Sequence, residues 1–404
     1  MSVVLTAQLF SKLTASSLRK GVRGFVLGNR VVVETAYGYL SCLGEGTDDE
    51  SFEFESLYAS ELVNTPPQII PDERTVVTLT RQSIATVMGG LLRIFPVTSR
   101  ECTLEQILPS PLDGDSFELP SRFVEDYKTS SLFCGKEGRF QLYAVGCGKS
   151  GLYATDAHVF IHCPMDWERP LQEFGKHQLQ MKAEELSADS PAEQQSRPCL
   201  DYLLPAGIPF NEGALKMSFA QKDKTLFSCF QQGKITYLVE MKEGAIPVIK
   251  GFQEDLPPLA FTLLPEETSR LSSSMEKYVL DEERIALLNH RGFLGFASPK
   301  EEHAAVATNI AVRMPEGYVG LLDLKGMTNI LKLGGVQRFY LGRNTWHAQV
   351  GAMKFLLGVA EVPTWELEEE KVQTLNIRKQ GVGDLLIDNA QQIAEDNASK
   401  LSNF

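Results

Sequence analysis

The sequence predicts an α+β fold of three similar domains, each with two helices packed on antiparallel sheets. Three observations predict it. A pattern of short apolar strand, helix-start residue, amphipathic helix and two strands around a turn begins near residues 3, 117 and 260. Each copy is followed by a weaker echo that reads strand, then short helix. Two of the echoes run on into period-2 alternation about a central turn, the signature of a hairpin.

In chain order, the first copy is VVLTAQLFSKLTASSLRKG (3–21), with a helix expected over 7–20, and then GFVLGNRVVVETAYGYLSCLG (24–44). Its echo TVVTLTRQSIATVMGGL (75–91) predicts a helix over 81–93, and the shorter FPVTSRECTLEQIL (95–108) marks a trimmed first domain. The second copy is FELPSRFVEDYKTSSLFCG (117–135) and RFQLYAVGCGKSGLYATDAHVFIH (139–162), with a helix over 120–136. Its echo CLDYLLPAGIPFNEGAL (199–215) predicts a helix over 205–216 and leads into the hairpin KTLFSCFQQGKITYLVEM (224–241). The third copy is AFTLLPEETSRLSSSMEKYV (260–279), RIALLNHRGFLGFAS (284–298) and AAVATNIAV (304–312), with a helix over 265–279. Its echo YVGLLDLKGMTNILKLGG (318–335) predicts a helix over 325–334, followed by the hairpin VQRFYLGRNTWHAQVGAMKFLLGV (336–359). Thr6, Pro120 and Pro265 stand at equivalent places, where a cap or a first-turn proline starts a helix.

The expected domains are 1–112, 113–256 and 257–362, with a C-terminal extension over 363–404. The middle domain is lengthened by GKHQLQMKAEELSADSPAEQQSRP (175–198), a polar stretch that suits a surface loop with room for a helical turn. The extension is acidic at LEEEK (367–371) and predicts a helix near 384–400.

Composition excludes several classes. The 404 residues are 43% apolar and 23% charged, which excludes a disordered chain and a collagen-like one. No run of apolar residues is long enough for a transmembrane helix, and Met1 to Lys20 lacks the pattern of a signal peptide. Cys42, Cys102, Cys134, Cys147, Cys163, Cys199 and Cys229 are odd in number and widely spaced, without a C-x-x-C. They read as reduced thiols of a cytoplasmic protein rather than a disulfide framework or zinc site.

Charge is unevenly spread. The six expected helices hold thirteen Lys/Arg and six Asp/Glu, net +7, in a chain of net −13. One reading is that short helices simply carry surface Lys and Arg. The other is that the helices share a face that meets a polyanion, neutralising phosphates without reading sequence. The candidate contacts are Lys12, Arg19, Lys20, Arg81, Arg93, Arg122, Lys128, Arg270, Lys277, Lys325 and Lys332. The helix at 265–279, with Glu266, Glu267 and Glu276, fits this poorly.

GLYATDAHVFIH (151–162) contains Tyr153-Ala154-Thr155-Asp156-Ala157-His158. It resembles the A-T-D-G-H hairpin in the middle domain of bacterial sliding clamps, the beta subunit of DNA polymerase III, in position as well as in letters. LFSCFQQGKITYLVEMKEGAIPVIKGF (226–252) is similar to the family's closing hairpin and following loop, and GAMKFLLGV (351–359) to its last strand. The likeness in layout covers 1–360. Ala157 replaces the family's glycine, Val159 its usual arginine, and the chain continues past the last strand.

The resemblance implies three DNA-clamp-type domains forming a crescent. Two chains would close head to tail as a homodimer, a ring with helices lining the hole. Double-stranded DNA would be held by linkage, independent of its sequence. A DNA polymerase and a clamp loader would be the protein partners, docking by short peptides. Carried over by position, the peptide cleft comprises Thr155, Ala157, His158 and Phe160, with Leu357 and Val359 of the last strand and Pro257 of the linker. No catalytic residue, metal or cofactor is implied. QGVGDLLID (380–388) faintly resembles the Gln-then-Leu peptides that bind such clefts, so the tail either blocks a cleft or packs outside as an amphipathic helix.

Two other function classes stay open at this point. Asp156, His158 and His162 would alternate on one face of a strand, as three metal ligands of a barrel-type enzyme or as ordinary strand residues. Repeated αβ domains would also suit a phage structural or assembly protein. GCGKSG (146–151) lacks the spacing of a phosphate-binding loop and reads as a turn. No G-x-S-x-G or H-E-x-x-H occurs.

Overall fold

The structure, a computed structural model, describes residues 2–16, 22–46, 51–56, 75–88, 91–102, 107–136, 142–185, 202–244, 256–279, 283–300, 305–342, 344–361, 365 and 367–378. The chain forms two compact units. One comprises 1–128, 147–149 and 167–244, the other 129–146, 150–166 and 245–404.

The elements repeat three times in chain order. The first series is β1 (Val3–Thr6), α1 (Ala7–Ser16), β2 (Val22–Leu27), β3 (Arg30–Thr35), β4 (Gly38–Leu43), β5 (Ser51–Ser56), β6 (Val76–Leu79), β7 (Ser83–Met88) and β8 (Leu91–Pro96). β9 (Thr98–Glu101) and β10 (Ser110–Pro111) lead to the second series. That series is β11 (Phe117–Glu118), α2 (Phe123–Ser131), β12 (Ala144–Gly148), β13 (Gly151–Thr155), β14 (Val159–Pro164), α3 (Glu168–Glu185), β15 (Tyr202–Pro205), β16 (Lys216–Lys222), β17 (Thr225–Gln232) and β18 (Ile235–Glu240). After β19 (Lys242–Glu243) comes the third: β20 (Leu259–Leu263), α4 (Pro265–Tyr278), β21 (Arg284–His290), β22 (Phe293–Ala297), β23 (Ala305–Ala311), β24 (Gly317–Asp323), α5 (Leu324–Lys332), β25 (Gln337–Leu341), β26 (Thr345–Val350) and β27 (Met353–Gly358). One more strand, β28 (Val372–Leu375), follows a short 3-10 turn at Glu369–Lys371.

Strand order repeats with the elements. The first series forms the orders β4-β3-β2-β5 and β1-β6-β7-β8. The third forms β23-β22-β21-β24 and β20-β25-β26-β27. In the second, β11 and β16-β17-β18 match the second of these orders. Successive series meet edge to edge. β18 pairs antiparallel with β4 in the first unit, and β14 with β27 in the second.

Helices α1, α4 and α5 arise where the sequence signals place them. Thr6 Oγ1 accepts from the Leu9 amide at 3.3 Å, and Ala7, Phe10 and Leu13 bury one face of α1. Pro265 opens α4, whose Glu267 carboxylate accepts the Leu264 amide at 2.8 Å. Asp323 caps α5 by accepting from Gly326. In the first unit Phe123 of α2 stacks on Trp167 at 5.2 Å and lies 6.1 Å from Phe230, so an aromatic layer fills that core.

Two expected helices are not there. Residues 81–93 fall largely in β7 and β8, where β-branched Ile84, Thr86 and Val87 suit a strand and Gly89-Gly90 would break a helix. Residues 205–216 run from the end of β15 through turns. Pro205 and Pro209 lack amide donors, and Gly207 and Gly213 hold φ of 82° and 108°, closed to a helix. Ile208 and Phe210 are nevertheless buried, and Tyr127 Oη accepts the Ile208 amide at 3.0 Å.

The insertion also differs from expectation. Its first part, 175–185, continues α3, because Leu171, Phe174, His177 and Gln178 present a single buried face. Among the described residues the first series therefore carries one helix and the other two carry two each. The expected helix near 384–400 lies outside the described residues. None of the six described cysteines is in a disulfide, and burial pushes the Cys42 and Cys134 thiols up to about 12. Among the described residues no helix is long and apolar enough to cross a membrane.

Candidate peptide cleft and basic helix residues

The A-T-D-A-H stretch folds as the turn between β13 and β14. Thr155 Oγ1 donates to the Val159 carbonyl at 2.8 Å and accepts from the Ala157 amide at 3.0 Å. Asp156 Oδ1 accepts from the His158 and Val159 amides at 2.9 and 2.8 Å. Those bonds satisfy the turn locally, which is what a short Thr/Asp pair offers. Ala157 takes φ 77°, a left-handed conformation.

The turn forms one side of a cleft of about 290 Å³ within the second unit. Ala157 and His158 face Glu283, Arg284, Leu321 and Asp323, with Asn344 and Gly358 to Ala360 completing the lining. Backbone bonds build the walls. Leu321 and Ala360 exchange two amide bonds of 3.0 Å, and the Gly358 amide donates to the His158 carbonyl at 2.8 Å. α5 approaches the hairpin closely, because a Cβ on Gly326 would sit 2.2 Å from Val159 Cγ2. Burial pushes the Asp323 carboxyl up from its usual range, while the Gly326 amide works in the other direction.

Of the seven expected cleft residues, the structure brings Ala157, His158 and Val359 into the lining. Thr155 sits beneath them, buried, holding the turn. Phe160 and Leu357 are buried in the paired strands β14 and β27 instead, Phe160 packing on Tyr153 at 5.9 Å. Pro257 lies beside Gly342 and is not among the lining residues. Glu283, Arg284, Leu321, Asp323 and Asn344 were not foreseen. They come from strand ends and a helix cap that only tertiary pairing gathers, and the one local signal was Asp323 as a helix-start residue. The cleft combines apolar Leu321, Val359 and Ala360 with a few charges, which suits one apolar side chain of an extended peptide.

The basic candidates divide. Lys128, Lys277 and Lys325 are exposed on α2, α4 and α5. Lys332 of α5 pairs with Glu276 of α4 at 2.5 Å, and Arg122 with Asp126 at 2.7 Å. Arg270 donates to the Ile377 carbonyl at 3.2 Å. Lys12 donates to Asn211 and lies 5.3 Å from the Tyr237 ring, where burial brings its ammonium down to about 8. Arg81 lies in the bend before β7, 3.6 Å from Glu101, and Arg93 stands on β8, so neither is on a helix. Arg19 and Lys20 lie outside the described residues, as does 380–388.

The metal alternative loses its geometry. Asp156 and His158 sit in a turn rather than alternating along a strand, because the Asp156 carboxylate is spent on backbone amides. His162 bonds the Ser150 carbonyl at 3.1 Å and stacks on Tyr153 at 4.5 Å; burial lowers its pKa. Among the described residues no group of three His, Cys, Asp or Glu side chains is placed to hold a metal.

No family model and no curated protein matches the sequence. Solved structures do match. A DnaN sliding clamp (DNA polymerase III subunit beta) from Pseudomonas aeruginosa, bound to griselimycin, is similar with a TM-score of 0.61 at 12% identity. The DNA polymerase III beta subunit of Thermotoga maritima reaches 0.63 at 10% identity. In both cases the match covers 90% of this chain and 100% of the other. The Helicobacter pylori beta clamp bound to a DNA ligase peptide reaches 0.57 at 11% identity, over 89% of this chain and 100% of that one. The fold of this chain is therefore that of the bacterial DNA polymerase III beta sliding clamps, in a divergent sequence.

Proposed function

We propose that the chain is a DNA sliding clamp, a non-enzymatic processivity factor that encircles duplex DNA as a homodimeric ring and tethers a DNA polymerase. The observation that carries this reading is the repeated junction. β4 with β18, and β14 with β27, join successive series by the same antiparallel edge pairing. Modules that join head to tail through one such contact close into a ring when the rotation per module allows it.

The other roles follow from the surfaces. Exposed Lys128, Lys277 and Lys325 would contact phosphates weakly and without sequence preference. The cleft at Ala157, His158, Leu321 and Val359 would take a short peptide of the polymerase or of a clamp loader.

Retention on nicked circular DNA tests the ring. The protein is expected to stay on the circle through gel filtration and to leave when the circle is cut. Equal loss from circular and linear DNA would reject the proposal.

A further inference from the structure

Each series offers two sheet edges to its neighbours. The internal junctions use β4 with β18 and β14 with β27. By the same count, the edges left for a second copy are β8 and β23. Among the described residues β8 ends its four-stranded sheet and exposes apolar side chains on both faces, with Leu91, Leu92 and Ile94 at 56%, 59% and 58%. Such an edge asks for a partner.

β23 is not such an edge. β28, from the extension beyond the third series, pairs with it in parallel, from Ala305↔Val372 to Thr308↔Leu375. The described part of the extension is held by side chains at both ends of β28. Arg378 forms a buried ion pair with Glu267 at 2.7 Å and donates to the Thr262 carbonyl at 2.8 Å. Asn309 accepts from the Ile377 and Arg378 amides at 2.8 and 2.7 Å and donates to the Arg378 carbonyl at 2.6 Å. Ahead of β28, Arg291 pairs with Glu369 at 2.9 Å, and Trp365 meets Tyr318 edge-on at 5.3 Å. Pulling β28 away would disturb this anchor and threaten the pairing of the buried Glu267 carboxylate.

We propose that β28, not β23, is the ring-closing edge, and that it pairs antiparallel with β8 of a second copy of this chain. This rests on the ring reading above. Direction supports it: β28 runs parallel to β23, so a strand antiparallel to one is antiparallel to the other. Among the described residues the far side of β28 is unpaired, and Gln373 and Thr374 are exposed. Each subunit boundary would then hold one more strand than an internal junction, which widens it by about 4.8 Å.

Hydrogen exchange of the full chain, at concentrations below and above dimer formation, tests this. The expected result is slowed exchange at both 91–96 and 372–375 in the dimer. Slowed exchange at 91–96 with faster or unchanged exchange at 372–375 would overturn it and leave the ring intact. A chain that is monomeric at every concentration by sedimentation would instead remove the ring reading itself. A double variant, Ala307→Cys with Thr374→Cys, clamps the registered pair when oxidised. It should dimerise equally well oxidised and reduced. A dimer only in the reduced form would mean that β28 must leave, against the proposal.

Discussion

Ala157 illustrates how one residue can carry strain inside a functional surface. Its φ of 77° suits glycine, and the clamp hairpins it resembles have glycine there. Ala157→Gly should raise stability by up to about 1 kcal/mol, since relief of a left-handed penalty of about 1–2 kcal/mol exceeds the added chain entropy. Urea unfolding measures it, and a lower midpoint would reject the strain. Lys12 makes a second prediction. Folded, burial brings its ammonium from 10.5 down to about 8. Between those values the unfolded chain binds more protons, so stability rises with pH. The stability of the natural chain relative to Lys12→Met should therefore be greater at pH 9.5 than at pH 7.5, and an unchanged difference would count against it. Thr155 and Ala157 were named through the hairpin's likeness to the clamp family, whereas the turn that Asp156 makes, off the strand face expected for it, was not legible. Neither were Glu283, Arg284 and Asn344, because nothing in their neighbourhoods marks them for one cleft.

Among the elements, α5 depends on a glycine and a cap. A Cβ at Gly326 would meet Val159 Cγ2 at 2.2 Å, so Gly326→Ala should cost about 1–3 kcal/mol and loosen the cleft. Removing the cap by Asp323→Ala should cost about 1 kcal/mol, whereas Asp323→Asn keeps an acceptor and should cost less. Thermal unfolding of the three variants tests that order. Helices with an apolar face and a start signal, α1, α4 and α5, were readable from the sequence. The expected helix at 81–93 failed because apolar content outweighed the β-branched residues and the Gly89-Gly90 break. β28 was invisible for a different reason. Val372–Leu375 is four residues long and pairs in parallel with a strand far back in the chain, so no turn announces it.

At the scale of the molecule, a net charge of −13 opposes contact with nucleic acid, so duplex binding by the proposed clamp would rest on local lysines. Duplex binding should weaken steeply with salt, and Lys277→Ala with Lys325→Ala should reduce the slope of log K against log salt by about two. An unchanged slope would exclude both as phosphate contacts. Self-association is open to the same kind of test. Leu92→Asp with Ile94→Asp puts two charges on the apolar edge of β8 and should shift a dimer to monomer by sedimentation. A dimer of unaltered strength would place the contact elsewhere. The threefold repeat was legible because each module repeats its own pattern. The order in which edges meet was not, since pairing between distant strands leaves no mark in either segment alone.

The pair Glu267–Arg378 has a consequence for how the protein is made. The two residues are 111 positions apart. At roughly 5–20 residues per second, the ribosome delivers the arginine about 6–22 s after its carboxylate. Until then, α4 cannot bury Glu267 with its counter-ion in place. Burial of Glu267 as an ion pair therefore waits until residue 378 has been made.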